Sequence, residues 1–98
     1  MAKPVVIELE PWKWVKVVSN AQTGILNRLN SSVTYYQTYR DVDDVPPPNP
    51  SNGQIPKEAV RIFEESNQEL IGDTTSIDVY ILCCGQDGNK GELRVDLW

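Results

Sequence analysis

Val33-Thr34-Tyr35-Tyr36-Gln37-Thr38-Tyr39 consists, but for Gln37, of β-branched and aromatic residues. Such side chains lose rotamer freedom in a helix and pack well on a pleated surface, so the run reads as a strand. A period of two sets Val33, Tyr35, Gln37 and Tyr39 on one face and Thr34, Tyr36 and Thr38 on the other. Both faces are amphipathic, which suits a strand covered on one side and touching a neighbour on the other.

The same period recurs on either side. Toward the C-terminus, Val79, Ile81 and Cys83 share a face of the run Ile77 to Cys83, and Leu93, Val95 and Leu97 alternate with Glu92, Arg94 and Asp96. Gly85, Gly88 and Gly91 lie between these runs, so a glycine-rich hairpin loop is expected there. Their spacing is neither that of a phosphate-binding loop nor that of a dinucleotide fingerprint. Toward the N-terminus, residues 1–10 form an extended arm or first strand, with Val5, Ile7 and Leu9 on one face, ended by Pro11. Extended structure resumes at Trp12, with Trp12, Trp14 and Val18 on one side. Lys13 and Lys16 fall on opposite sides, which predicts a twist or bulge. Ile25 to Leu29 reads as another strand. Residues 41–54 form an acidic, proline-rich loop, partly polyproline II, of a length that compact domains seldom carry without a use. Ile55 to Leu70 admits a helical stripe through Ile55, Ala59, Ile62 and Phe63, or a short strand around Val60 to Glu64, and strand is preferred. The whole predicts an all-β fold, a single-domain β-sandwich or β-tulip of about six to eight short antiparallel strands over residues 1–98.

Composition narrows the function. The 98 residues are 40% hydrophobic and 23% charged, with no histidine and a net charge of −5. Without histidine the usual Ser-His and Cys-His nucleophile pairs and the common zinc sites are missing, so no catalytic residue, metal or cofactor is assigned. The acidic balance argues against nucleic acid as a partner. No apolar stretch reaches the length of a membrane span and no signal-peptide core is evident, so synthesis in a reducing cytoplasm is expected. The charge is divided: residues 1–40 carry +3 and residues 41–98 carry −8. Solvated faces account for that division, and so would complementary contact between copies.

Several motifs carry less than they promise. Asp41-Val42-Asp43-Asp44 has Val45 and Pro46 where a calcium loop needs an oxygen ligand and a glycine. Cys83-Cys84 are neighbours, so an ordinary disulfide between them is strained, and they read as two small apolar side chains facing opposite ways. Glu64, Glu65 and Glu69 could supply paired carboxylates, but a chain this small offers little cleft, and an exposed charged face is the better reading. Trp12, Trp14, Tyr35, Tyr36 and Tyr39 gather in the basic part beside Lys13 and Lys16. They could stack on bases or sugars, but core and subunit contacts are the reading preferred.

Ser76 to Cys83, the glycine-rich loop and Gly91 to Asp96 follow an early tryptophan strand (Trp12 to Val18), a Thr23-Gly24 turn, a strand about a polar Asn-Ser step (Ile25 to Tyr36) and a proline-rich loop. This spacing resembles that of small virion proteins of tailed bacteriophages, notably head decoration (cement) proteins and related head-surface or fibre-base proteins. The resemblance implies a β-sandwich or β-tulip without catalysis. It further implies a homo-oligomer, with a trimer favoured, that binds the major capsid protein on the outer surface of the virion. The contact residues expected are Val5, Ile7, Trp12, Trp14, Tyr35, Tyr36, Tyr39 and Trp98, with Pro46, Pro47 and Pro48 of the proline loop as a second surface. A tail, vertex or head-fibre attachment component is the nearest alternative. A carbohydrate- or host-binding module that stacks sugars on the same tyrosines is the alternative from another class.

Overall fold

The computed structural model describes residues 4–20, 24–30, 33–51, 54, 57, 59, 61–63, 68–71, 76–85 and 89–97. Among these there is no helix. Eight strands carry the fold: β1 (Val5–Leu9), β2 (Val15–Ser19), β3 (Gly24–Arg28), β4 (Thr34–Asp41), β5 (Arg61–Phe63), β6 (Gln68–Ile71), β7 (Ile77–Cys84) and β8 (Gly91–Leu97). They form two four-stranded sheets, ordered β1-β8-β3-β6 and β2-β7-β4-β5, with every neighbouring pair antiparallel. First pairs with last, second with seventh, third with sixth and fourth with fifth. This is one long hairpin wound upon itself, and the contacts β3·β8 and β4·β7 close the winding. The result is the double-sheet arrangement of a jelly roll, a β-sandwich in which the turn of the long hairpin is the proline-rich β4–β5 connection.

The main core lies between the sheets. Leu9, Leu26, Leu93 and Val95 come from the first sheet, and Val17, Val18, Tyr35, Val79, Ile81 and Cys83 from the second, with Val33 beside them. Alternation therefore works as expected on β7, whose Val79, Ile81 and Cys83 point inward. β4 and β7 pair along their full length, from Thr34↔Cys84 to Asp41↔Ile77. As the two central strands of their sheet they are buried on both faces, which explains why neither has a clean polar side.

Three expectations need correction. The Gly85–Gly91 connection is not a hairpin, because β7 and β8 lie in different sheets and the chain crosses the sandwich there. Both strands already have two other neighbours, so neither has a free edge to offer the other. The glycine at 91 answers to closeness: a Cβ there would sit 2.8 Å from Cys83 Cβ and 3.0 Å from Tyr35 Cε2. Secondly, Val18 does not share the face of Trp12 and Trp14. The expected bulge falls between Lys16 and Val18, and the extra residue turns both Val17 and Val18 into the core. Thirdly, the second face of β4, expected to touch a neighbour, is packed against by the chain itself. Trp14, Tyr36, Tyr80 and Leu82 form a separate outer cluster against which Trp12, Ala59 and Cys84 pack. Within 55–70, β5 and β6 bear out the strand reading over the helical one.

Candidate interaction surfaces

Two corners shape the surface. Pro11 and Trp12 turn the chain from the first sheet into the second, and Trp12 takes φ 65°, a conformation bulky residues rarely adopt. Two hydrogen bonds hold it there, from its backbone N–H to Cys83 O at 3.0 Å and from Nε1–H to Gly85 O at 2.9 Å. The second corner is the β4–β5 connection. Asn49 Oδ1 accepts the Trp14 backbone N–H at 2.8 Å, and Pro47 is buried although Pro46 and Pro48 on either side are exposed. This connection meets the outer cluster through that hydrogen bond and through Ala59, which packs against it.

The residues expected to make contacts therefore separate. Tyr35 is 0% exposed, its ring in the core and its hydroxyl donating to Asn30 O at 2.6 Å while accepting from Glu92 N–H at 3.2 Å. Trp14, Tyr36 and Pro47 are buried by contacts within the chain. None of these four has surface to offer while the loop is seated, because the chain's own second layer occupies the face that the alternation left open. Tyr36 in particular presents no ring face to a sugar. Trp12 is half-buried, Ile7 packs on the core, and Trp98 lies outside the described residues, as do the glutamates at 64, 65 and 69 in their side chains.

Of the expected contacts, Val5 on β1, Tyr39, Pro46 and Pro48 remain outward, and Val6, Leu29 and Val45 are exposed apolar side chains besides them. On β1, an edge strand of its sheet, Val5 and Val6 are 53% and 59% exposed. Val6 was not among the expected contacts because alternation groups it with Glu8 on the solvent face; on a free strand edge, the solvent face is the one a partner meets. Lys90 lies 3.1 Å from Glu8 and 3.5 Å from Glu10, marking this edge with a small exposed charge cluster. At the far end of β4, Tyr39 (40% exposed) borders an open cleft of about 320 Å³ with Arg40, Asp41, Asp44 and Ile77. The Tyr39 hydroxyl accepts from Gln37 Nε2 at 2.9 Å, which fixes the ring.

Two buried charged side chains went unforeseen. Arg28, at an inward position of β3, is buried with its guanidinium 5.9 Å from the centre of the Tyr35 ring. At the other end of β7 from Tyr35's partner Cys83, Asp78 is also buried and accepts from Ser19 Oγ at 2.6 Å, with Lys16 Nζ at 3.8 Å. No cluster of three or more metal-ligating side chains occurs among the described residues.

Both cysteines are free. Burial pushes the Cys84 thiol up to about 11, helped by the neighbouring Cys83, and burial also raises Cys83 and the Tyr35 hydroxyl. The unfolded chain loses the thiol protons first, near pH 9. Above that pH the native state holds more protons than the unfolded state, so stability falls as pH rises toward about 11. Thermal melts should show a level midpoint up to about pH 9 and a decline beyond it. Cys84→Ala should remove part of that decline.

No family model, curated protein or solved structure matches the chain.

Proposed function

We propose that the protein is a non-catalytic structural component of a tailed-bacteriophage virion, a capsid decoration protein seated on the outer head surface. In this reading it is made in the bacterial cytoplasm, assembles as a trimer, and holds neighbouring major capsid proteins together. The observation that carries it is the free edge of β1. There, among the described residues, a strand paired on one side only presents two exposed valines, Val5 and Val6, on a sandwich whose large aromatics are otherwise mostly spent on its own interior. A strand edge of this kind recruits a further strand through backbone hydrogen bonds, with outward side chains setting the choice of partner. The spacing shared with small virion proteins points the same way. The jelly-roll winding, which serves capsid and lectin domains among others, adds only analogy.

Co-sedimentation with purified heads that lack the protein tests the proposal. The native chain should pellet with them, and failure to do so would sink the decoration reading. Val6→Lys should weaken this binding roughly tenfold or more, because it desolvates an unpaired charge at the contact. Its thermal midpoint should barely move, since the side chain is exposed in the free protein. Mass spectrometry of whole virions separates the neighbouring possibilities. A head protein occurs in the high copy number set by capsid symmetry, and a vertex or tail component in a few copies.

A further inference from the structure

The geometry points to a second binding site, independent of the virion reading. The aromatic platform on the outer face of the second sheet docks an extended, proline-rich segment of a partner protein, and the chain's own residues 46–50 occupy it in the unbound state.

The platform consists of Trp14, Tyr36 and Tyr80, with Trp12 packed at its side. Aromatic surfaces of this kind bind polyproline II segments, because such segments are already extended and lose little entropy on docking. A segment of that chemistry already lies beside it. Pro46-Pro47-Pro48-Asn49-Pro50 is fastened to Trp14 by the Asn49 side chain, and Pro47 is buried. The seating is imperfect. Trp14 is 9% exposed, and its indole Nε1–H is buried with no hydrogen-bond partner. Buried indole N–H groups ordinarily find an acceptor, and leaving one unmet is costly.

The tether explains the mismatch. The connection is held at one end by β4 and at the other by β5, so it cannot slide to bring a carbonyl onto the indole. A proline-rich segment from another protein has an acceptor at every residue and is free to choose its register. Lys13, exposed between the two indoles, offers a charge to an acidic residue flanking the prolines. The seated loop is then a weak internal competitor at high effective concentration, which an incoming segment displaces.

A capped decaproline peptide is the probe, its affinity for every variant measured by titration calorimetry, while the Trp14 indole N–H resonance, which Trp14→Phe assigns by its loss, reports contact with the platform. Asn49→Ala loosens the internal competitor and should tighten decaproline binding about fivefold relative to the native chain. Replacing residues 46–50 by Gly-Ser repeats should tighten it further. Trp14→Phe, made in the Asn49→Ala background, should weaken binding about tenfold, because it keeps the ring and removes the donor. If the Gly-Ser variant does not fold, the full-length Asn49→Ala protein decides alone. The inference fails if decaproline leaves the Trp14 resonance of Asn49→Ala unmoved, or if Trp14→Phe binds as well as its parent. It also fails if the Gly-Ser variant self-associates and ignores the peptide, since the occupant is then a second copy of the chain.

Discussion

Tyr35→Ala should strip the fold of a large part of its stability. The ring is fully buried between the sheets, and its removal opens a cavity lined by core side chains of both layers. Truncations of this kind cost about 3–5 kcal/mol, against a total of about 5–15 kcal/mol for a domain of ordinary stability. The hydroxyl adds to the loss. It joins Asn30 O, at 2.6 Å, to Glu92 N–H, at 3.2 Å, and so ties the entry of β4 to β8 across the sandwich. Arg28 would also lose the ring face beneath its guanidinium. Tyr35→Phe isolates the hydroxyl and should cost about 1–2 kcal/mol. Urea unfolding of the two variants checks both figures. Tyr35→Phe should still bind phage heads as the native chain does, because its contacts lie within the fold. Weakened binding by a folded Tyr35→Phe would put that residue back at an interface.

Gly91→Val should be nearly as damaging, for the opposite reason. The first atom of any side chain at this position would stand 2.8 Å from Cys83 Cβ and 3.0 Å from both Cys83 Sγ and Tyr35 Cε2. All three atoms belong to Cys83 and Tyr35 of the opposite sheet, both fully buried, so relief requires the sheets to separate locally. Overpacking of a close-packed core costs about 1–3 kcal/mol, and a valine placed on the strand backbone itself belongs at or above the upper end. A melting point lowered by about 10 °C or more is expected. Gly91→Ala should fall between Gly91→Val and the native protein. A valine variant as stable as the native chain would show that β8 does not approach β7 this closely in solution.

Much of the sandwich was legible in the residues. The alternation of Val33 to Tyr39, Ile77 to Cys83 and Leu93 to Leu97 marks three of its strands, and the conflicting sides of Lys13 and Lys16 mark the bulge in β2. What alternation does not encode is which strands share a sheet. Two short runs separated by glycines satisfy a hairpin and a crossover equally well, and only the competition for edges, resolved by the whole set of pairings, decides between them. The aromatic surface posed the same ambiguity. Tyr36, Tyr80 and Leu82 must be covered by something apolar, and a partner molecule or a folded-back loop meets that need alike. The loop's share of the task rests on one hydrogen bond that the Asn49 side chain accepts from Trp14 N–H and on one buried proline, details too local for a pattern to carry. Arg28 is the inverse case. Its charge suggests a solvent position, while its place in the β3 alternation with Leu26 points inward, and the aromatic face of Tyr35 makes the inward position tolerable.

The pairing of first strand with last has a consequence for how the protein comes into being. β1 finds its neighbour only in β8, where Val5 meets Val95, and β8 is also the strand that joins β1 to β3. A ribosome delivers β1 before the other seven strands and β8 after them, so until β8 emerges the first sheet lacks the strand that holds it together. Folding must wait for residues 91–97, then proceed through contacts between parts of the chain far apart in sequence, which is the slow regime for small proteins. Until that moment Val5 and Val6 belong to an unpaired, apolar strand, open to any edge that passes. The same strand edge that the finished molecule offers to a partner is, in the nascent chain, its point of greatest exposure to misassembly.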